Sequence, residues 1–313
     1  MQHVLETARK IRTMEVRGAG RIAREAAEAL MDYALSLDAR NLDEFNSEIE
    51  RAGEILLNTR PTAVSLYNAV QMVTKHKANE LEYARQSVVG NAKRFIENSE
   101  KAVERIGEIG SRRILNGDTV LTHCNSMAAI SLISTAFRAG KDIRVIATES
   151  RPRNQGILTI EMMDELGIPT TLIVDSAVRS VMNNVDLVVV GADVITANGS
   201  LVNKIGTAQI ALIAHEARTS FIVAAETYKF SPRTILGELV PIEERSPEEV
   251  LPDISKYEHI KVHNPAFDVT PHQYIDLICT EVGAIPPMMS YMIIRERLGW
   301  ELNESAFDSS SGY

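Results

Sequence analysis

The first 115 residues carry apolar positions three and four apart. "GAGRIAREAAEALMDYALSL" and "DEFNSEIERAGEILLNTR" both show this spacing, which gathers the apolar side chains on one face of a helix. A long charged stretch follows, "VTKHKANELEYARQSVVGNAKRFIENSEKAVERIGEIGSRRI", and "NSEKA" within it offers a fresh helix cap. No strand pattern precedes residue 118. From there the chain turns to short β-branched runs: "NGDTVLTHC" (116–124), "IRVIATE" (143–149), "TTLIV" (170–174), "DLVVV" (186–190), "SFIVAAE" (220–226) and "YIDLICT" (274–280). Helical spacing returns at about 126–139, 156–166, 176–184 and 207–218. Apolar strands alternating with helices predict a parallel sheet covered on both faces. The expected fold is α/β, with a helical domain over 1–115 and a doubly wound, Rossmann-like catalytic domain over 116–313.

Sheets of this kind bind ligands beyond the carboxyl ends of their strands. Cys124 closes the first predicted strand, and Glu149, Asp175, Asp193 and Glu226 end or follow later ones. The residues able to do chemistry therefore converge on one edge. Cys124 is one of only two cysteines, and "NSMAAI" starts a helix directly after it. A helix N-terminus favours a thiolate, so a depressed thiol pKa is expected. His123 is its neighbour on a strand and should face the other way, in a packing role. Asp193 follows "VVVG", where Gly191 lets the backbone turn. Near a thiol in a half-closed cavity its pKa would rise, and it could then shuttle a proton. An ordinary turn aspartate fits the same position. The chain has no G-x-G-x-x-G, which argues against a nicotinamide cofactor. Its histidines and cysteines show no Cys/His ligand spacing, which argues against a metal.

Charge sharpens this picture. The net charge is -9 and the pI about 5.4, which argues against nucleic acid as a partner. No apolar run approaches the roughly 18 residues that span a bilayer. The N-terminus lacks a signal-peptide core, and the two cysteines form no CxxC. A cytoplasmic protein with free thiols and no membrane partner is expected. Against the acidic background some cations sit beside glycines, helix starts or strand ends: Arg17 in "RGAG", Arg60 in "TRPT", Arg151 in "RPRNQG", then Lys204 and Lys229. Together they suggest a phosphorylated ligand.

Nine motifs run in order from residue 17 to 271: "RGAG", "TRPTAV", "THC", "RPRNQG", "GIPTTLIVDSA", "GADVITANG", "NKIGT", "AAETYKF" and "NPAFDVTP". On these the chain resembles the superfamily that joins sugar-phosphate isomerases to the regulatory subunits of translation initiation factor 2B. Within it, the archaeal ribose 1,5-bisphosphate isomerases are the most similar group. The resemblance implies an aldose–ketose isomerase making ribulose 1,5-bisphosphate in AMP salvage. It also implies no cofactor and a homo-oligomer, dimer or hexamer. It assigns Cys124 as base and Asp193 as proton donor. Arg17, Gly18, Ala19, Gly20, Arg60, Ser126, Met127, Ala128, Asn203, Lys204 and Lys229 would bind substrate. Arg151 and Arg179 would add phosphate contacts.

Two alternatives come with the same resemblance. The initiation-factor subunits lack the cysteine of the "TH" motif, so its presence here speaks for an enzyme over a non-catalytic regulatory subunit. The methylthioribose-1-phosphate isomerases share "THCN", "TRPT" and "NKIGT" but lack the lysine of "ETYKF". Lys229 therefore favours a bisphosphate. Asn125 and Met127 point the other way. The similar bisphosphate enzymes carry His and Lys there, and Asn125 matches the thioether enzymes. Arg179 would compensate for Met127.

Overall fold

The computed structural model describes residues 1–236 and 239–299. Residues 300–313 of the second expected domain lie outside that range. Five helices fill the first part: α1 (Gln2–Arg12), α2 (Ala19–Ser36), α3 (Leu42–Leu57), α4 (Val64–Thr74) and α5 (Leu81–Gly110). Their apolar stripes meet in one core, where Leu30, Phe45, Leu56 and Leu66 are fully buried. Asn41 caps α3 by accepting from the Glu44 N–H at 2.9 Å. The cap expected at "NSEKA" is not used, because α5 runs unbroken for 30 residues. Ser99 sits buried in mid-helix, and its hydroxyl is engaged by Tyr228 instead.

The second part holds β1 (Thr119–Thr122), α6 (Met127–Arg138), β2 (Arg144–Thr148), α7 (Gln155–Glu165), β3 (Thr170–Ile173), α8 (Val178–Val181) and β4 (Leu187–Val190). Then come β5 (Val194–Ile195), β6 (Leu201–Lys204), α9 (Thr207–Ala217), β7 (Ser220–Ala224), β8 (Phe267–Thr270), β9 (Leu277–Thr280), β10 (Gly283–Ile285) and α10 (Ser290–Leu298). Seven strands form one sheet in the order β10-β9-β7-β4-β1-β2-β3. All six expected strands are in it and pair in parallel. Only β10 is antiparallel.

Period-two alternation sends one set of side chains to each face. Leu187 and Val189 join the core beneath α6, whereas Val188 and Val190 join the core beneath α9. That is why the strands read as apolar throughout. The expected helix over 176–184 is broken into a one-turn α8 flanked by 3₁₀ turns at Asp175–Ala177 and Met182–Asn184. Only Val178 and Met182 bury there, and two asparagines end the segment, so neither packing nor propensity sustains a longer helix.

A second, antiparallel sheet of order β5-β6-β8 begins just after β4 in the chain. The two parts are joined by α5 packing along α6. The buried Asn68 amide also donates to the Tyr228 and Phe230 carbonyls, both at 2.8 Å. Among the described residues no helix is long and apolar enough to cross a membrane.

Candidate active site

The strand order reverses between β1 and β4. From β1 the chain builds outward to β2 and β3, and from β4 outward to β7 and β9. A crevice opens at such a switch point, beyond the carboxyl ends of the strands. Cys124 follows β1 and Asp193 follows β4, so the two flank it. A cavity of about 890 Å³ occupies the crevice and extends to the helical part. Arg17–Gly20, Arg60, Cys124–Met127, Asp193, Asn203, Lys204 and Lys229 all line it.

Three expected residues are absent from that lining. Ala128 is buried in the first turn of α6. Arg151 is exposed, and its backbone N–H donates to Asp175 Oδ2 at 2.7 Å. Arg179 is exposed on the outer face of the short α8, beside Asn183 at 3.5 Å. Arg179 thus does not share the cavity with Met127, which is 52% exposed at its wall.

Cys124 has a left-handed backbone, with φ of 67°. Its thiol departs from the expectation. Burial pushes it up to about 11, against a smaller downward pull from Lys204 and the Asn125 N–H. The helix that follows does little to offset this burial. Helix α6 begins only at Met127, with Ser126 as its cap, so Cys124 lies outside the first turn. Gly191 permits this close fit, since a Cβ there would lie 2.2 Å from the Ser126 hydroxyl.

His123 is buried with both ring nitrogens engaged, Nδ1 by the Thr148 hydroxyl at 2.5 Å and Nε2 by the Ile205 carbonyl at 2.9 Å. A carbonyl only accepts, so Nε2 carries the proton and Nδ1 accepts. Burial lowers the His123 pKa and keeps the ring neutral. The burial expected of His123 is seen, but the ring does not face away from Cys124, since both residues line the cavity.

Asp193 has a raised pKa. Burial is the main cause, opposed by the charges of Lys229, Lys204 and Arg60. Burial thus favours the neutral carboxyl, and the nearby cations oppose that shift.

Lys229 is 6% exposed and pairs with Glu226, itself 3% exposed, at 2.7 Å. Burial is the largest influence and would raise Glu226, but the Lys229 charge, together with hydrogen bonds from Lys229, the Tyr228 hydroxyl and the backbone, outweighs it and holds the carboxyl below its ordinary value. The Tyr228 hydroxyl donates to the other oxygen of Glu226 at 3.1 Å. Gly20 makes room for it, because a Cβ would lie 2.8 Å from that hydroxyl. The second glycine of "RGAG" thus admits Tyr228, while the first, Gly18, has φ of 84° and starts α2.

Arg60 donates to Glu243 at 2.6 Å, and Glu243 also accepts from Arg245 at 2.9 Å. Arg245 continues to Glu249 at 2.7 Å. This chain of alternating charges was not expected. Its only signal in the sequence was the charge run "EERSPEE", which looks like any solvated loop.

A doubly wound sheet with a thiol and an acid at its switch point, roofed by helices and ringed by cations, defines a class: an α/β protein built to enclose a small anionic ligand. The chain belongs to the initiation factor 2 subunit family, whose model matches residues 15–287. Among curated relatives, ribose 1,5-bisphosphate isomerase of Archaeoglobus fulgidus is 60% identical over 300 residues, covering 96% of this chain and 95% of the relative. The protein of that name from Methanocaldococcus jannaschii is 58% identical, with 96% and 97% covered. A methylthioribose-1-phosphate isomerase from Acetivibrio thermocellus is 37% identical, with 92% and 89% covered. Of solved structures, a Pyrococcus horikoshii OT3 translation initiation factor eIF-2B superimposes with a TM-score of 0.80 at 31% identity, covering 92% of this chain and 98% of that one.

Proposed function

We propose that the chain is an isomerase converting ribose 1,5-bisphosphate to ribulose 1,5-bisphosphate. The observation that carries this reading is the pairing of Cys124 and Asp193 at the ends of the two switch-point strands, with Lys204 acting on both. The names of the more similar curated relatives support the same substrate. Lys229 on the cavity wall supplies a cation for a second phosphate.

A C1 phosphate masks the aldehyde, so the ring must open before the carbonyl moves. Protonated Asp193 gives its proton to the ring oxygen as the C1–O bond breaks. The Cys124 thiolate then removes the C2 proton, leaving an enol. Ionised Asp193 takes the O2 proton while the Cys124 thiol returns a proton to C1. One proton therefore leaves the Cys124–Asp193 pair before turnover, and Lys204 and the Asn125 N–H are the groups that favour the thiolate. Excluding water limits phosphate loss from the intermediate. In this reading the helical part, 1–115, acts as a lid domain on the catalytic part through Arg17 and Arg60.

The reading extends to AMP salvage in the cytoplasm and to a homo-oligomer. Support for the oligomer is the exposure of Met288, Met289 and Met292 at and just before α10. A second reading, the thioether sugar monophosphate, is favoured by Met127 on the cavity wall, an apolar side chain where a second phosphate would call for a cation. Kinetics with both sugars on one preparation decide between them. A higher kcat/KM for the bisphosphate is expected, and a higher value for the thioether sugar overturns the assignment.

A further inference from the structure

The left-handed conformation of Cys124 needs an explanation. A non-glycine residue in that region costs of order 1 kcal/mol or more and persists only where its surroundings over-determine it. Both backbone polar groups of Cys124 are held by side chains from other elements. Its N–H donates to the Ser150 hydroxyl at 2.8 Å, and its carbonyl accepts from the Thr159 hydroxyl at 2.7 Å.

Each holder is itself held. Ser150 is fully buried just beyond β2, with φ of 60°. Its own N–H donates to Asp175 Oδ1 at 2.8 Å, beyond β3. Thr159 is 1% exposed on α7. Its hydroxyl accepts from the Asn125 amide at 3.1 Å, which leaves its single proton for the Cys124 carbonyl. Helix α7 reaches this position because Gly156 lies against β2, where a Cβ would fall 1.8 Å from the Thr148 carbonyl. Thr159 is three residues further, on the same helical face.

We propose that Ser150 and Thr159 are positioning residues, which lock the Cys124 peptide in its left-handed turn and so hold the thiol in the switch-point cavity. They touch Cys124 and not the ligand. The proposal rests on the reading of Cys124 as the base. It gives Asn125 a role as well: its amide sets the direction of the Thr159 hydroxyl.

The test uses the full-length protein and three variants. Thr159→Val keeps the shape and removes the hydroxyl, Thr159→Ser keeps the hydroxyl, and Ser150→Ala removes the other holder. Steady-state kinetics with ribose 1,5-bisphosphate are paired with iodoacetamide labelling of Cys124, read by peptide mass across pH. Thr159→Val and Ser150→Ala should lower kcat by roughly 10- to 100-fold with KM within about threefold, since a misplacement of about 1 Å can cost 10²-fold. In both, labelling of Cys124 should begin at lower pH than in the wild type, because a released thiol is less buried. Thr159→Ser should behave as wild type in both measurements.

Wild-type kcat and wild-type labelling in Thr159→Val and Ser150→Ala would overturn the proposal, as would equal losses in Thr159→Val and Thr159→Ser. Thermal melting identifies a variant that fails to fold, and the other holder then decides. A wild type that binds but does not isomerise the sugar sinks the proposed reaction alone, and the labelling profiles still judge the positioning.

Discussion

Lys229→Met should do two separate things, and the structure sizes both. Lys229 and Glu226 are 6% and 3% exposed and lie 2.7 Å apart. Removing the ammonium leaves a buried carboxylate without a counter-charge, which costs about 3–5 kcal/mol of stability. That is a large share of a total that is typically about 5–15 kcal/mol. The cost depends on pH. In the wild type the Glu226 pKa is held below its ordinary value, so the ionised form stabilises the fold above the unfolded pKa. In the variant burial is opposed only by the Tyr228 and backbone hydrogen bonds and raises that pKa, so stability falls as pH climbs above the unfolded value. The gap between the two proteins should therefore be small near pH 4 and widen toward pH 7. Urea unfolding at several pH values measures it. Lys229→Met/Glu226→Gln should recover most of the loss, because no lone charge is left buried. The second effect is on the ligand: the bisphosphate should bind about 1.5–3 kcal/mol more weakly, the range for a charge-assisted hydrogen bond. A pH-independent stability loss below about 1 kcal/mol would mean the pair is solvated, and the reasoning would fail.

Asp193→Asn should abolish turnover while calorimetry still detects the sugar bisphosphate; loss of both would make Asp193 a turn residue only. Cys124→Ser should cut kcat on the order of 10² or more with the fold intact, since a serine hydroxyl is too weak an acid to serve as the base. In the ligand-free protein, labelling of Cys124 should have its midpoint near pH 11, where burial places the thiol; a midpoint below the ordinary thiol value would show that Lys204 outweighs burial. Asp268 caps α9 by accepting from the Gly206 and Ala208 N–H groups, and burial raises its pKa to about 6. The native state then binds its proton more tightly than the unfolded state, so this residue lowers stability as pH rises from about 4 to 6. Asp268→Asn should flatten that slope in a pH series of thermal melts.

The sequence by itself determined the helical first part, the six parallel strands and the edge on which the chemistry gathers. Apolar periodicity is a local property, and strands buried on both faces write it plainly. Cys124 and Asp193 were legible for the same reason, since each ends a strand whose neighbours are unmistakable. Tertiary structure alone decided the rest. The strand order, and with it the switch point between β1 and β4, depends on pairings across up to 67 positions, such as the Thr119 N–H accepted by Asp186. The small sheet was hidden because β5, β6 and β8 are two to four residues long and β6 pairs with a strand some 66 residues away. Ser99 looked like a helix cap until Tyr228, distant in sequence, claimed its hydroxyl. The thiol of Cys124 was expected to be acidic from the helix that follows it. Burial among residues distant in sequence reversed that, because desolvation is summed over everything that surrounds a group and no stretch of sequence records it.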